Sequence, residues 1–319
     1  MLKSPPINGS QQIGFFLAPK FSMLSFTACV EPLRSANRMS GNKLYTWELF
    51  SADGKPVQSS SGISLMADRS IDEVKHYPVI IVSAGLDPHL YNDPKVFSWL
   101  RHLDRHGTQI GGTSAGAYIL ARAGLLSGYK CTIHWEYLTG FVEEFPNVKV
   151  TTRLYEIDGD RFTSAGSGAT FDMLLYLIGR QHGYKLSIAI AEQFSHFGAN
   201  SLDSPQRRPI QQRLRINHPK LIAIIEQMEA NLEEPMPRQK LARSVKLSMR
   251  QIERLFARYL GITPANYYIE LRLERARQLL KQTSMPILEV SIACGFISAS
   301  HFSKCYRKHF DHSPRDERP

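Results

Sequence analysis

A chain of 319 residues exceeds what one hydrophobic core usually organises, so two domains are expected, and 43% aliphatic and aromatic residues with only 21 glycines and 18 prolines exclude a disordered or collagen-like chain. The formal charge of +10 is lopsided: residues 201–319 carry 21 Lys and Arg against 12 Asp and Glu, while residues 1–200 carry 18 against 17. A positive field confined to the C-terminal third attracts a polyanion, which makes nucleic acid or an acidic membrane surface the first candidate partner there.

From residue 12 to about 182, short apolar β-rich runs alternate with helical patterns, the order of a parallel sheet covered by helices. Strands are predicted at 13–17, 47–51, 79–83 and 108–111, and helices at 27–39, 94–106, 115–126, 135–145 and 169–182. This reads as an α/β doubly wound, flavodoxin-like domain over 12–200. Residues 201–218, within the stretch GANSLDSPQRRPIQQRLRINHP that is rich in Pro, Ser, Asn and Arg, are expected to be a linker. Beyond them the strand signal vanishes. Helical runs at 221–232, 239–244, 249–260, 265–282, 287–294 and 299–310 predict an all-α domain over 219–319.

Within that second domain, LARSVKLSMRQIERLFARYLGITPANYY is echoed about fifty residues later by VSIACGFISASHFSKCYRKHFDHSPRDE, with one residue slipped in at the turn. Each copy places a short helix, a turn, a polar N-cap (Ser248 or Ser298) and a helix that is apolar on one face, through Ile252, Leu255, Phe256 and Tyr259 or Phe302, Cys305, Tyr306 and Phe310. Each closes on a Thr-Pro or Ser-Pro pair, Thr263–Pro264 and Ser313–Pro314, able to cap a further helix. The helix after Pro264, about 27 Å long at ~1.5 Å per residue, can set two reading helices roughly one turn of DNA apart. These are tandem helix-turn-helix units. Together with IACGF at 292–296 and YRKHF at 306–310, they strongly resemble the AraC/XylS family, from which the chain departs at Asp311, where the signature has glycine, and at 316–318, where it is more aromatic.

The polar faces of the two reading helices give the expected DNA contacts. Arg250 and Arg254 can donate to guanine and Glu253 can accept from cytosine, with Gln251 beside them; Ser300, His301, Ser303 and Lys304 take the equivalent places in the second unit. Ser248 and Ser298 are expected to cap helices and meet phosphate. A merely solvated polar face is the alternative.

In the first domain Gly112-Thr113-Ser114-Ala115-Gly116 fits G-x-S-x-G, a tight strand-to-helix turn exposing its middle side chain, and His134 follows twenty residues later. With FSMLSFTACVEPLRSANR (21–38), CTIHW (131–135) and TSAGSGATFDMLL (163–175), this half resembles the PfpI/ThiJ amidotransferase-like domains, in the form fused to an AraC-type domain in GlxA-like regulators. Enzymatic members of that superfamily carry cysteine where Ser114 stands and an acidic residue where Ser25 stands. The resemblance therefore implies a pocket without turnover, with Ser114 and His134 as vestiges, that binds an amino-acid or quaternary-amine effector such as a betaine, carnitine or arginine. Its expected lining is Ser25, Glu31, Gly85, Thr113, Ser114, His134 and Trp135, with Glu31 facing a cationic group and Trp135 or Tyr118 a quaternary ammonium. A Ser/His hydrolase or amidase is the alternative, and a constitutive architectural DNA-binding protein a third reading.

Four cysteines at wide spacings with no CxxC pair argue against a zinc cluster or a disulfide framework, so no metal and no cofactor are expected, and a reducing compartment is favoured. There is no continuous apolar stretch for a signal peptide or a membrane span, which points to the cytoplasm and away from the membrane. The expected partners are double-stranded promoter DNA, the effector, a second copy in a homodimer and, for an activator, RNA polymerase.

Overall fold

A computed structural model describes residues 9–196, 204, 206–207 and 209–318. The chain divides into two units, Met1–Gln206 and Arg207–Pro319. In the first, the elements in chain order are β1 (Gln11–Leu17), α1 (Met23–Ser40), β2 (Tyr45–Ser51), β3 (Val57–Gln58), β4 (Ser64–Leu65), β5 (Arg69–Ser70), β6 (Val79–Ala84), α2 (Pro94–Arg105), β7 (Gln109–Ser114), α3 (Gly116–Arg122), β8 (Lys130–Thr132), α4 (Leu138–Glu144), β9 (Lys149–Thr151), β10 (Tyr155–Asp158), β11 (Arg161–Ser164), α5 (Ser167–His182) and α6 (Tyr184–Gln193).

A seven-stranded sheet runs β10-β11-β7-β6-β1-β2-β5. Every pairing is parallel except β10 with β11. Strands β6 and β7 are buried at every position, as their unbroken non-charged runs require of strands covered on both faces. One face packs Phe16, Ile80, Val82 and Ile110 against Leu100, Leu120 and Phe141 of α2, α3 and α4. The other packs Phe15, Ile81 and Val79 against Leu33, Leu174, Ile178 and Ile190 of α1, α5 and α6. This is the doubly wound fold that the alternation implies, with its crevice at the carboxyl ends of the strands.

The predicted helix at 135–145 starts later, at Leu138, because residues 134–137 form a turn in which Tyr137 N–H donates to the His134 carbonyl. The predicted 115–126 helix stops at Arg122. Not foreseen were the short pair β8–β9, helix α6, and the antiparallel edge β10–β11, which turns at Gly159 with a φ of +61°.

The second unit holds α7 (Ile210–Leu214), α8 (Pro219–Ala230), α9 (Arg238–Ser244), α10 (Met249–Leu260), α11 (Pro264–Gln282), α12 (Ile287–Ala293) and α13 (Ala299–Phe310). Part of the stretch read as a linker thus belongs to this fold: Ile210 and Ile216 bury in one cluster with Leu221, Ile224 and Phe256, and Arg213 pairs with Glu229 at 2.8 Å. Residues 201–203, 205 and 208 of that stretch lie outside the described ones. Two clusters form, and α11 serves both. Tyr268 packs in the first with Leu241, Ile252 and Phe256, while Leu273, Ala276, Leu279 and Leu280 pack in the second with Val290, Phe302 and Tyr306.

The join between β7 and α3 needs an absent side chain. A Cβ on Gly116 would lie 2.3 Å from the Val82 carbonyl oxygen, a backbone atom of a central strand that cannot yield cheaply. Gly116→Ala is expected to lower the unfolding free energy of the first unit by roughly 1–3 kcal/mol. Urea denaturation followed by tryptophan fluorescence measures this, and an unchanged midpoint would refute so close an approach.

Candidate functional site

Strand β7 ends at Ser114, which is held at a φ of +57° because the chain passes almost at once into α3. Such a conformation is costly for a residue with a Cβ and marks a turn over-determined by its surroundings. Here Gly116 on Val82 and Gly112, where a Cβ would sit 3.0 Å from the Ala117 nitrogen, supply the constraint. Ser25, at the start of α1, donates to the Ser22 hydroxyl at 3.0 Å and accepts from the Ser167 N–H of α5 at 2.9 Å. A Cβ on Gly166, itself at a φ of +113°, would meet Ser25 Oγ at 3.2 Å and Ser114 Oγ at 3.4 Å. Ser25, Ser114 and the first turn of α5 therefore converge. Thr113 is fully buried beside them, and neither its hydroxyl nor that of its register neighbour Ser83 has a hydrogen-bond partner among the described residues.

The His134 N–H donates to the Ser114 carbonyl at 3.1 Å, which ties the CTIHW segment to the elbow. Its imidazole does something else. Among the described residues it makes no hydrogen bond to Ser114, and its Nδ1 stands 3.8 Å from the Glu136 carboxylate. Burial pushes the His134 pKa below its ordinary value against the opposing pull of Glu136, so the ring is neutral at pH 7. Trp135, 37% exposed, tilts against that ring at 5.7 Å between centroids.

Three other expected pocket residues are placed differently. Glu31 is bonded to Arg34 at 2.9 Å; six residues after Ser25 at 100° per residue, it lies about 120° around the helix and ~9 Å along it. A Cβ on Gly85 would come 2.3 Å from the Lys20 carbonyl, so this glycine lets the β1–α1 connection pack on the end of β6. Tyr118 is fully buried, with Arg122 over its ring at 5.3 Å, and offers no face to a ligand.

In the second unit, the Ser248 hydroxyl accepts from Gln251 N–H at 3.3 Å while the Gln251 carboxamide oxygen accepts from Ser248 N–H at 2.8 Å. This capping box fixes the start of α10 and engages Gln251 there. Arg250, Glu253 and Arg254 are exposed, opposite the buried Ile252 and Phe256. Tyr259, expected on the apolar face, is 39% exposed and lies against His218 instead. On α13, Ser298 accepts from His301 N–H at 3.2 Å, and the His301 ring meets the Cys305 sulfur at 3.4 Å. Ser300, Ser303 and Lys304 line an open groove with Arg307 and Lys308. The last two were missed in the sequence, although Arg307 follows Ser303 and Lys304 at the four- and three-residue spacing of one helix face.

Thr263 caps α11 as expected, accepting from Asn266 N–H at 3.2 Å. Ser313 starts only a turn over 314–317 rather than a helix, its hydroxyl donating to Asp316 at 2.7 Å. Asp311 adopts the left-handed C-cap at a φ of +63°, so the departure from glycine leaves that cap in place.

Two locks hold the readers. Arg272 of α11 donates to the Cys294 and Gly295 carbonyls at 2.7 and 2.6 Å and lies 3.9 Å over the Phe296 ring. Gly295, at a φ of +71°, presses on the connection after α8: a Cβ there would sit 2.6 Å from the Leu232 and Glu233 carbonyls. The turn of the second helix-turn-helix is thereby clamped between α11 and the connection that follows α8. The other lock is the buried Glu317, which accepts from Arg277 at 2.9 Å, Lys281 at 3.0 Å, Tyr306 at 2.8 Å and His312. Burial acts to raise its pKa, and these donors outweigh burial and hold it at about 2.

Because the folded carboxyl titrates at about 2 against an ordinary 4.5, its stabilisation is full above pH 4.5 and fades as pH falls towards 2. Glu317→Gln is expected to cost about 1.5–3 kcal/mol at pH 7, with wild type and variant converging in acid. Denaturation at the two pH values checks this, and equal midpoints at pH 7 would count against the lock.

Residues 241–319 match the family described as helix-turn-helix domain, and residues 11–180 match the DJ-1/PfpI family. The HTH-type transcriptional regulator GbdR of Pseudomonas aeruginosa is 47% identical over 315 residues, 98% of this chain and 86% of that protein. The HTH-type transcriptional regulator GlxA of Rhizobium meliloti is 35% identical over 315 residues, 98% of this chain and 97% of that one. A crystal structure of an AraC family transcriptional regulator from Pseudomonas putida superposes with a TM-score of 0.54 at 30% identity, over 58% of this chain and 99% of that one. With an elbow at the carboxyl ends of a parallel sheet and a doubled, basic helix-turn-helix behind it, the chain belongs to the DNA-binding transcriptional regulators that join a DJ-1/PfpI domain to an AraC-type domain.

Proposed function

We propose that the first unit is a non-catalytic effector pocket and that a small amino-acid or quaternary-amine metabolite, of the betaine, carnitine or arginine kind, controls how the second unit engages promoter DNA. The protein acts as a homodimer in the cytoplasm and activates transcription through RNA polymerase. The observation that carries this reading is an elbow that keeps its strained geometry and converging hydroxyls while, among the described residues, Ser114 has no hydrogen-bonded base. A serine hydroxyl is a poor nucleophile until a base takes its proton. Ser25, Ser114 and Trp135 remain suited to grip a polar or cationic ligand, whereas Glu31 is already paired with Arg34. Among the described residues no helix is long and apolar enough to cross a membrane, and no three His, Cys, Asp or Glu side chains are grouped to hold a metal.

Catalytic apo sites can loosen, so the hydrolase reading is tested directly. Ser114→Ala is expected to weaken the effector response of transcription without abolishing it; loss of a measurable amidase or esterase turnover on that substitution would favour the enzyme. Ligand identity follows from melting the full-length protein against amino acids, betaines and carnitine. A ligand at 100 times its Kd adds about 2.7 kcal/mol of stability. No shift with any of these, together with DNA binding indifferent to all, would sink the effector reading.

On DNA, α10 and α13 occupy successive major grooves, with Arg250, Glu253, Arg254, His301 and Lys304 at base edges and Ser248, Ser298, Arg307 and Lys308 nearer phosphate. Arg254→Ala is expected to weaken the cognate operator about 5- to 150-fold and relax preference at one position. Lys308→Ala should weaken all sequences alike and reduce the salt slope by about one. Binding isotherms at several salt concentrations discriminate the two, and equal losses on random and cognate DNA for Arg254→Ala would remove its base-reading role.

A further inference from the structure

The two helix-turn-helix units differ by one residue in the turn, and that residue stands apart. In the first unit Leu247, partly buried, precedes the cap Ser248; in the second the buried Phe296 takes that inward place and Ile297 is inserted before the cap Ser298. Ile297 is fully exposed, at 104% of its reference area, and no other large apolar side chain among the described residues stands so far out. It does not hang on a loose loop. Phe296 beneath it is 3% exposed and covered by Arg272, which also holds the carbonyls of Cys294 and Gly295. An aliphatic group is thus presented to solvent from a clamped turn, at the amino-terminal end of α13.

That end of a reading helix is the part that meets base edges. The side chains that follow, Ser300, His301, Ser303, Lys304 and Arg307, are all polar and suited to base edges or phosphate. The major groove offers one apolar projection, the C5-methyl group of thymine. We propose that Ile297 is a specificity-determining residue that packs on the C5-methyl of a thymine in the second half-site. The first unit, which lacks the inserted residue, makes no corresponding contact. This rests on the reading that α13 lies in the major groove.

The test uses full-length protein and an operator duplex defined by footprinting, with each thymine of the second half-site replaced singly by deoxyuridine, which removes only the methyl group. Wild type is expected to lose roughly 4-fold in affinity, the factor for one buried methyl, at one position. Ile297→Ser should show a comparable loss on unmodified operator and no further loss at that uracil, while Ile297→Val stays sensitive. Melting temperature and affinity for random DNA should be unchanged in Ile297→Ser, since the side chain supports nothing in the fold. Tight operator binding by wild type that is indifferent to every uracil overturns the thymine contact and leaves the DNA-binding reading intact; absence of any operator preference overturns both. Ile297→Ser that keeps wild-type affinity and uracil response but activates transcription less would place the side chain against polymerase and likewise overturn the proposal.

Discussion

The two helix-turn-helix units share one helix, α11, and their ability to act together depends on it. Helix α11 spans 19 residues, about 28 Å at ~1.5 Å per residue, and its apolar side chains are divided between two cores. Neither core is complete without it. Arg272 sits near the division and converts a shared helix into a shared joint by holding the turn of the second unit through two carbonyls and one ring. Arginine suits the task because one planar fork can donate twice while its face stacks, a combination that lysine cannot supply.

The first unit is governed by a different kind of constraint, close backbone approach. Gly116, Gly85 and Gly166 each stand where a side chain would collide or crowd, and together they draw three connections in around Ser114. In the same strands the hydroxyls of Thr113 and Ser83 are buried and, among the described residues, have no hydrogen-bond partner. Such hydroxyls cost stability, since buried polar groups without partners are unfavourable. An effector of the proposed kind would influence DNA binding only through its differential affinity for two states of the protein, typically ~1–3 kcal/mol.

What the sequence revealed follows from which forces are local. Helices α10 and α13 were expected at 249–260 and 299–310, where they occur, because caps and three-to-four spacing are written within a dozen residues. Strands β6 and β7 were legible from unbroken buried runs. Helix α7 was not: its anchors Ile210 and Ile216 are isolated apolar residues in polar surroundings, with no period to detect. The Glu317 lock was invisible for a related reason, since its donors at 277, 281, 306 and 312 come together only once α11 and α13 have packed. Glu31 has the charge to face a cation, yet the helical phase between it and Ser25 argues against a common pocket face. The repeat shows that one residue is slipped in at the turn, but that it is Ile297 and that it stands exposed depend on the fold.

The division of α11 between two cores also bears on how such a regulator can change over generations. Adding one residue to that helix would swing the second reader about 100° around the axis and advance it ~1.5 Å, so its length is effectively frozen. Where both helices engage one operator, as proposed, its two boxes must drift as a pair, since one base pair gained between them turns the second box by roughly a tenth of a helical revolution. Regulatory novelty is thereby channelled into the identity of a few outward side chains, and a lineage can exchange target genes more easily than it can exchange spacing.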